Sequence, residues 1–471
     1  MSSNSVTSTA REHVFPLFVK YVSANVLGMI GYSCYILADT FFVARGIGSD
    51  AIAALNLVLP AFSLLNGTGL MIGMGAAARY SLSSGRADSE IHRTIFTQAL
   101  QLAFVAMLFF FSIGLFFARP LCVLLGADGT TLPHAIPYIS ILLMFSPLFL
   151  CNNLLNCFVR NDGEPRLSMT AMLVGSLTNI VLDYIFIYPM QLGMTGAALA
   201  TGIGQTVPAL AGLLFFLSNK KGLRLVRFHF RPKELLMACY NGSSEMVTQL
   251  ANAIITFLFN IVMMELAGGP GVAAITILLY GQFLFNAFYL GFTIGISPLV
   301  GFQYGAKNHR ELKNIYQIAF VFTAISSVIL TIAAVVSAGP LVQIFTHDPE
   351  TFALADAGFP LFAVNFLFSG INIASSGFFT ALSNGKVSAI ISFCRTLVFI
   401  AISLVILPHF LGITGAWIAV PVAEFLTLIL SALMHKKYFL TPGERITAEI
   451  IDYIRYAKDK GCSMTGPEDA A

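Results

Sequence analysis

Four carboxylates lie deep inside stretches that otherwise read as apolar: Asp39, Asp183, Glu245 and Glu424. A charged carboxylate at the centre of a bilayer costs about 2.5–3.5 kcal/mol. Each of the four therefore needs a proton, a bound cation, a basic partner or water. Arg395 is the one basic residue read at similar depth, and it can neutralise one acid. The remaining acids have polar neighbours at helical spacing. Asn179 and Asp183, in "NIVLDYIFIY", stand one turn apart, and so do Tyr35 and Asp39. "CNNLLN" adds Asn152, Asn153 and Asn156, and "ALATGIG" adds Thr201. Oxygen ligands including two carboxylates suit a hard cation such as Na⁺. A buried carboxyl that holds its proton tightly suits H⁺ instead. Taken singly, each Asn or Thr is equally well read as glue between helices. Glu265 and Asp356 fall near span ends and are expected at the membrane interface.

The elements that must position these residues follow from composition. The 471 residues are 57% hydrophobic and 10% charged, with mean hydropathy +0.81. Soluble domains carry about 25% charged residues, so the chain is read as an integral membrane protein. Its seven cysteines form no CxxC and read as small core residues, with no disulfide or metal framework. HExxH, GxSxG and Walker A sequences are absent, so neither an enzyme nor a nucleotide-driven pump is expected, nor a nucleic-acid partner. No cleavable signal pattern follows the polar start, so the first span is expected to stay.

A helical span needs about 20 mostly apolar residues. Twelve candidates result: 17–44, 51–79, 95–118, 134–159, 168–188, 194–217, 237–265, 272–302, 315–338, 357–381, 388–408 and 413–435. Loops on one side contain only Arg45 and Arg119. Apart from Arg395, the other 23 of the 26 Lys and Arg fall with the termini and the alternate loops. The positive-inside rule then makes both termini cytoplasmic. The expected organisation is a cytoplasmic segment 1–16, a six-helix lobe 17–217, a basic linker 218–236, a second six-helix lobe 237–437 and a polar tail 438–471. Within the tail, 444–458 has the pattern of a short amphipathic surface helix, with a solvated tail as the alternative.

The halves repeat. "LGMTGAALATGIGQ" (192–205) matches "LGITGAWIAVPVAE" (411–424), which aligns Gln205 with Glu424 and gives Glu424 a structural reading. "SDAIAALNLVLPAFSLLN" (49–66) matches "GPGVAAITILLYGQFLFN" (269–286), and "IGMGAAARYSLSSGR" (72–86) matches "IGISPLVGFQYGAKN" (294–308). An even number of spans per half inserts both the same way up. The fold class is then all-α, with two six-helix bundles related by a pseudo-two-fold axis along the membrane normal, a transporter arrangement.

"ADTFFVARGIGSDAIAAL", "NIVLDYIFIY", "LGMTGAALAT" and the duplicated "LGITGAWIAV" are similar to motifs of the multidrug and toxic compound extrusion (MATE) family, and the resemblance covers about residues 15–438. It implies two lobes in a V around a central cavity. It also implies export of amphipathic, often cationic, organic compounds, driven by inward Na⁺ or H⁺, with no other cofactor. The family's N-lobe cation residues fall on Asp39, Tyr35, Asn179, Asp183 and Thr201, with a fourth-span Asn on Asn152 or Asn153. Na⁺ would sit among Asp39, Asn179, Asp183 and Thr201. In another branch the C-lobe site has a seventh-span Glu and a tenth-span Asp. Glu245 matches the first, but the tenth span has only Asn365 and Asn372. Glu245, Asn25, Gln282 and Asn372 are candidates for lining the substrate path. The expected protein works as a monomer in the cell (inner) membrane, among lipid. The rivals are a channel with flux uncoupled from any gradient, a membrane enzyme, and a lipid-linked saccharide flippase of the same wider superfamily. About fourteen spans and a more basic cavity would mark the flippase.

Overall fold

The computed structural model describes residues 14–86, 89–218 and 232–440, and all regular structure in them is helical. Nine helices there are long and apolar enough to cross a membrane, and two further spans are helix pairs bent at a short break. One of the nine, Lys233–Gly305, has 73 residues. At 1.5 Å per residue it would run about 110 Å, far beyond a bilayer core of about 30 Å. It is broken at Gly268 (φ 61°), a left-handed conformation that glycine adopts without a Cβ clash. It is therefore two spans, and nine, two and one make the expected twelve.

In order, the first six spans are Val14–Gly46, Ser49–Gly85, Ser89–Phe116, the bent pair Leu132–Met144 and Ser146–Asn161, Pro165–Ile187 and Gly193–Ser218. The second six are 232–267, 269–305, His309–Val336, the bent pair Pro349–Ala363 and Phe366–Ala381, Gly385–Leu411 and Ile413–Phe439. Two features were not expected. A short helix follows the third span (Ala118–Leu124) and the ninth (Ala338–Phe345). The fourth and tenth spans are bent by 50° and 54°. Both features recur about 220 residues apart, as do the aspartates just ahead of the bent spans, Asp128 in the turn before Leu132 and Asp348 at the N-cap of Pro349–Ala363. Asp128 accepts from the Thr131 amide at 2.9 Å, and Asp348 from the Thr351 amide at 2.9 Å.

The outer faces are oily. Val105, Leu108 and Phe109 on the third span and Ile325, Val328 and Ile329 on the ninth are exposed, as lipid contact requires. The lobes meet along two seams towards the end of the bundle that carries the basic loops. Gly75 in the second span presses on the seventh, where an added Cβ would lie 2.8 Å from the Gly242 nitrogen. Gly295 in the eighth span presses on the first, where a Cβ would lie 2.9 Å from the Tyr21 oxygen. At the 220-residue spacing of 49–66 and 269–286, Gly75 corresponds to Gly295 and Val22 to Gly242, so the contacts shift the weaker 72–86 and 294–308 match by two residues. The pseudo-two-fold axis is thus visible in the contacts themselves. Most of the linker and the expected helix at 444–458 lie outside the described residues.

Candidate functional site

The first span packs on the fifth, the fifth on the sixth, and the sixth on the fourth. Small residues allow this. A Cβ on Gly175 would come within 2.6 Å of the Gly204 carbonyl, so the fifth and sixth spans touch backbone to backbone. That approach brings Asn179 within reach of Thr201, and its Nδ2 donates to Thr201 Oγ1 at 3.4 Å. Asp39 and Asp183 stand beside each other, close enough for each charge to act on the other. Asp183 is fully buried and Asp39 is 8% exposed. Asp39 Oδ1, both Asp183 oxygens and Asn179 Oδ1 have no hydrogen-bond partner. Buried polar atoms are normally satisfied. Four unsatisfied oxygens in one place make a ready acceptor for a cation or a proton.

A ladder of buried side chains runs from this pocket towards the basic-loop end. Gln205 Nε2 donates to the Tyr35 hydroxyl at 3.1 Å, and Asn152 Nδ2 donates to Gln205 Oε1 at 2.5 Å. Asn156 donates to Asn152, and Ser168 Oγ donates to Asn156 Oδ1 at 3.0 Å. Of the two fourth-span candidates, Asn152 faces this ladder. Asn153 turns to the second span, donating to Asn66 Oδ1 at 2.9 Å. Sequence reasoning missed two members. Tyr138 lies beside Thr201 and feels both carboxylates, and Gln205 joins Tyr35 to Asn152. Tyr138 sits in the outer half of a span that breaks at Phe145, where Pro147 opens the second piece, and the spans were read as straight runs. Gln205 was seen only as the partner of Glu424 in the repeat.

The C-lobe repeats the ladder with different chemistry. Asn372 Nδ2 donates to Glu424 Oε2 at 2.7 Å, the counterpart of Asn152 and Gln205. Ser376 and Ser388 share a 2.9 Å hydrogen bond, the counterpart of Asn156 and Ser168. Arg395 Nη1 reaches Glu424 Oε1 at 3.1 Å. That matches the structural reading of Glu424 and the neutralising role given to Arg395. Arg395 lies on a π-turn, Cys394–Val398, in the eleventh span. Such a bulge re-aims side chains within a helix and recurs at functional sites. The places of Asp39, Asp183, Asn179 and Thr201 are taken in this lobe by Phe259, Ser403, Phe399 and Val420.

Three expectations need correction. Asn372 was placed on the substrate path. Its amide instead donates inside the C-lobe and its oxygen accepts from Ser431 at 3.1 Å, so it belongs to that lobe's framework. Asn25 donates to its own helix at Tyr21 O and lies in the first–eighth seam against Gly291, closed off from any open path in this conformation. Arg160 was assigned to a loop, but it is 5% exposed in the last turn of the fourth span, with Nη2 3.1 Å from Cys157 Sγ. Glu245 and Gln282 remain half-buried. Glu245 shares the seventh-span face of Gly242, Met246 and Gln249 that meets the second span, and the Arg395 charge reaches it. Glu265 and Asp356 are exposed. No cluster of three or more His, Cys, Asp or Glu suited to a metal exists among the described residues.

A duplicated twelve-span membrane protein, with an acid pair inside one lobe and a neutralised buried acid inside the other, has the build of a secondary transporter. The family profile described as MatE matches it twice, over residues 25–185 and 246–405, and the chain belongs to this family. The two matches fall one on each half, as the internal repeat requires. Among curated relatives, the multidrug export protein MepA of Staphylococcus saprophyticus is 23% identical, over 90% of this chain and 94% of its own length. MepA of Staphylococcus aureus strain MRSA252 is 24% identical, over 89% and 93%. Among solved structures, an outward-facing multidrug resistance MATE family transporter of the MOP superfamily aligns with TM-score 0.84 at 25% identity, over 89% of this chain and 95% of that one. A MOP superfamily transporter from Pyrococcus furiosus aligns with TM-score 0.83 at 25% identity, over the same shares.

Proposed function

We propose that this chain is a cation-coupled antiporter that exports amphipathic, often cationic, drugs or organic compounds by alternating access. The relatives named as multidrug export proteins support the export of small molecules. The coupling reading rests on one observation: Asp39 and Asp183 are buried side by side with unpartnered oxygens. An inward-moving Na⁺ or H⁺ neutralises the pair. Asn179 and Thr201 complete an oxygen-only ligand set for Na⁺, and the carboxyls alone serve for H⁺. Neutralisation removes charge from the junction of the first and fifth spans, which changes how the first span packs and releases the substrate. Each charge moved through 100 mV supplies about 2.3 kcal/mol.

In this reading the basic-loop end faces the cytoplasm and the protein works as a monomer in the cell membrane. The test is reconstitution in liposomes with imposed Na⁺ or pH gradients and a fluorescent organic cation. Efflux against the dye gradient, driven by one of the two ions, is the expected result. Dye flux indifferent to both gradients overturns the coupling.

A further inference from the structure

The two seams that join the lobes are related by symmetry but differ in chemistry. The second–seventh seam carries an ion pair between lobes, with Arg79 Nη2 2.5 Å from Glu234 Oε2. At the 220-residue spacing the position on the other seam that corresponds to Arg79 is Leu299, which cannot form an ion pair. The first–eighth seam is instead a greasy zipper. Phe18, Val22, Val26, Phe292 and Ile296 form one buried cluster, with the Phe18 and Phe292 rings 6.0 Å apart. Among the described residues no ion pair crosses it. Apolar interdigitation of this kind is lost wholesale when the surfaces part. An ion pair at the edge of the seam, with its side chains 17% and 21% exposed, can re-solvate its charges on opening and re-form on closing.

We propose that the second–seventh seam is the one that parts when the basic-loop end opens, with Arg79–Glu234 as its latch, while the first–eighth seam stays packed as the hinge. This goes beyond the antiport reading and rests only on its premise that the lobes rock. It also explains why the pair appears on one side of a duplicated architecture. A symmetric opening would call for similar chemistry at both seams.

The molecule carries a native reporter. Cys157 is 1% exposed and clusters with Met74 and Ala77 behind the second span. It is also within reach of the Glu245 charge from the seventh span. The experiment uses the full chain with its six other cysteines replaced by serine, and follows maleimide labelling of Cys157. Arg79→Gln and Glu234→Gln are each expected to speed labelling about five-fold or more, the effect of losing even a modest closing interaction. The exchanged pair, Arg79→Glu with Glu234→Arg, is expected to return it towards the parent rate. A second reporter, Val22→Cys in a Cys157→Ser background, is expected to stay slow in every latch variant. Unchanged Cys157 labelling in both single variants overturns the latch. Val22→Cys labelling that accelerates as much as Cys157 overturns the hinge. Neither readout needs transport, so a failure of the coupling reading leaves this result interpretable, and an Asp183→Asn protein is expected to give the same pattern.

Discussion

Arg395 holds Glu424 at 3.1 Å inside the C-lobe, and the equivalent ladder of the N-lobe has Gly175 and Gln205 at those two positions. The duplicated framework is the same, since Asn152 donates to Gln205 as Asn372 donates to Glu424. What differs is how charge is handled. The C-lobe neutralises its acid with a covalently fixed guanidinium. Among the described residues the N-lobe sets no ion pair on Asp39 or Asp183, and the coupling reading proposed above leaves them to an exchangeable cation.

The fixed pair sets the first prediction. Removing one partner of a buried ion pair strands the other, at a cost of about 3–5 kcal/mol. Arg395→Gln is therefore expected to lower the thermal-unfolding midpoint in detergent sharply and to reduce yield. The double variant Arg395→Met with Glu424→Gln, which strands nothing, is expected to recover most of that loss. A single variant as stable as the parent would show that another group neutralises Glu424.

The unpaired acids predict the opposite pattern. Asp183→Asn and Asp39→Asn each remove a buried carboxylate without a hydrogen-bonding partner to lose at the affected oxygens. Neither is expected to lower the unfolding midpoint, and Asp183→Asn is expected to raise it. Gradient-driven efflux of a fluorescent cation should nevertheless fall to the level of empty vesicles. Stable protein with parental efflux in both variants would remove these acids from the coupling.

Acid dependence is expected from a different carboxylate. Asp162, just past the fourth span, accepts from the Tyr80 hydroxyl at 3.0 Å. Burial raises its pKa to about 6, a rise the Tyr80 hydrogen bond opposes and the nearby Glu164 charge reinforces. An unfolded aspartate titrates near 4. The folded state thus binds this proton more tightly, and stability from this group falls as pH rises from about 4 to about 6. Above that range the full cost of the buried charge persists. Unfolding midpoints measured between pH 7 and 5 should rise more steeply for the parent than for Asp162→Asn. Parallel pH profiles would show that Asp162 is not the source.

The twelve spans were legible because long apolar runs have few alternatives in lipid, where backbone groups must be bonded within the span. The acids were legible because a carboxylate in such a run is conspicuous, and Asn179–Asp183 because helical spacing fixes neighbours on one helix. Contacts between spans were not. Tyr138 joins the pocket only through a bend at Phe145, where the fourth span's two pieces meet. Arg160 looked like a loop residue because its helix runs to Asn161, two residues past the apolar run. Arg79 and Glu234 are 155 residues apart, and no local pattern connects them.

The last prediction concerns a choice that spacing could not make. Asn152 and Asn153 are adjacent on one helix, so they point about 100° apart, and either matched the expected ligand position. The structure separates them by partner. Asn152 Nδ2 reaches Gln205, which in turn reaches Tyr35 one turn from Asp39. Asn153 is bonded to Asn66 of the second span, away from the acids. Asn152→Ala leaves the Gln205 carbonyl unpartnered next to the acid pocket, and a stranded buried group of this kind costs about 1–3 kcal/mol. It should therefore weaken ion dependence, raising the Na⁺ concentration or proton gradient needed for half-maximal efflux. Asn153→Ala breaks one neutral hydrogen bond elsewhere and should lower stability modestly while leaving that half-maximal value in place. Measuring the half-maximal value and the unfolding midpoint for both variants decides between them. A shift in ion dependence for Asn153→Ala with none for Asn152→Ala would reverse the assignment.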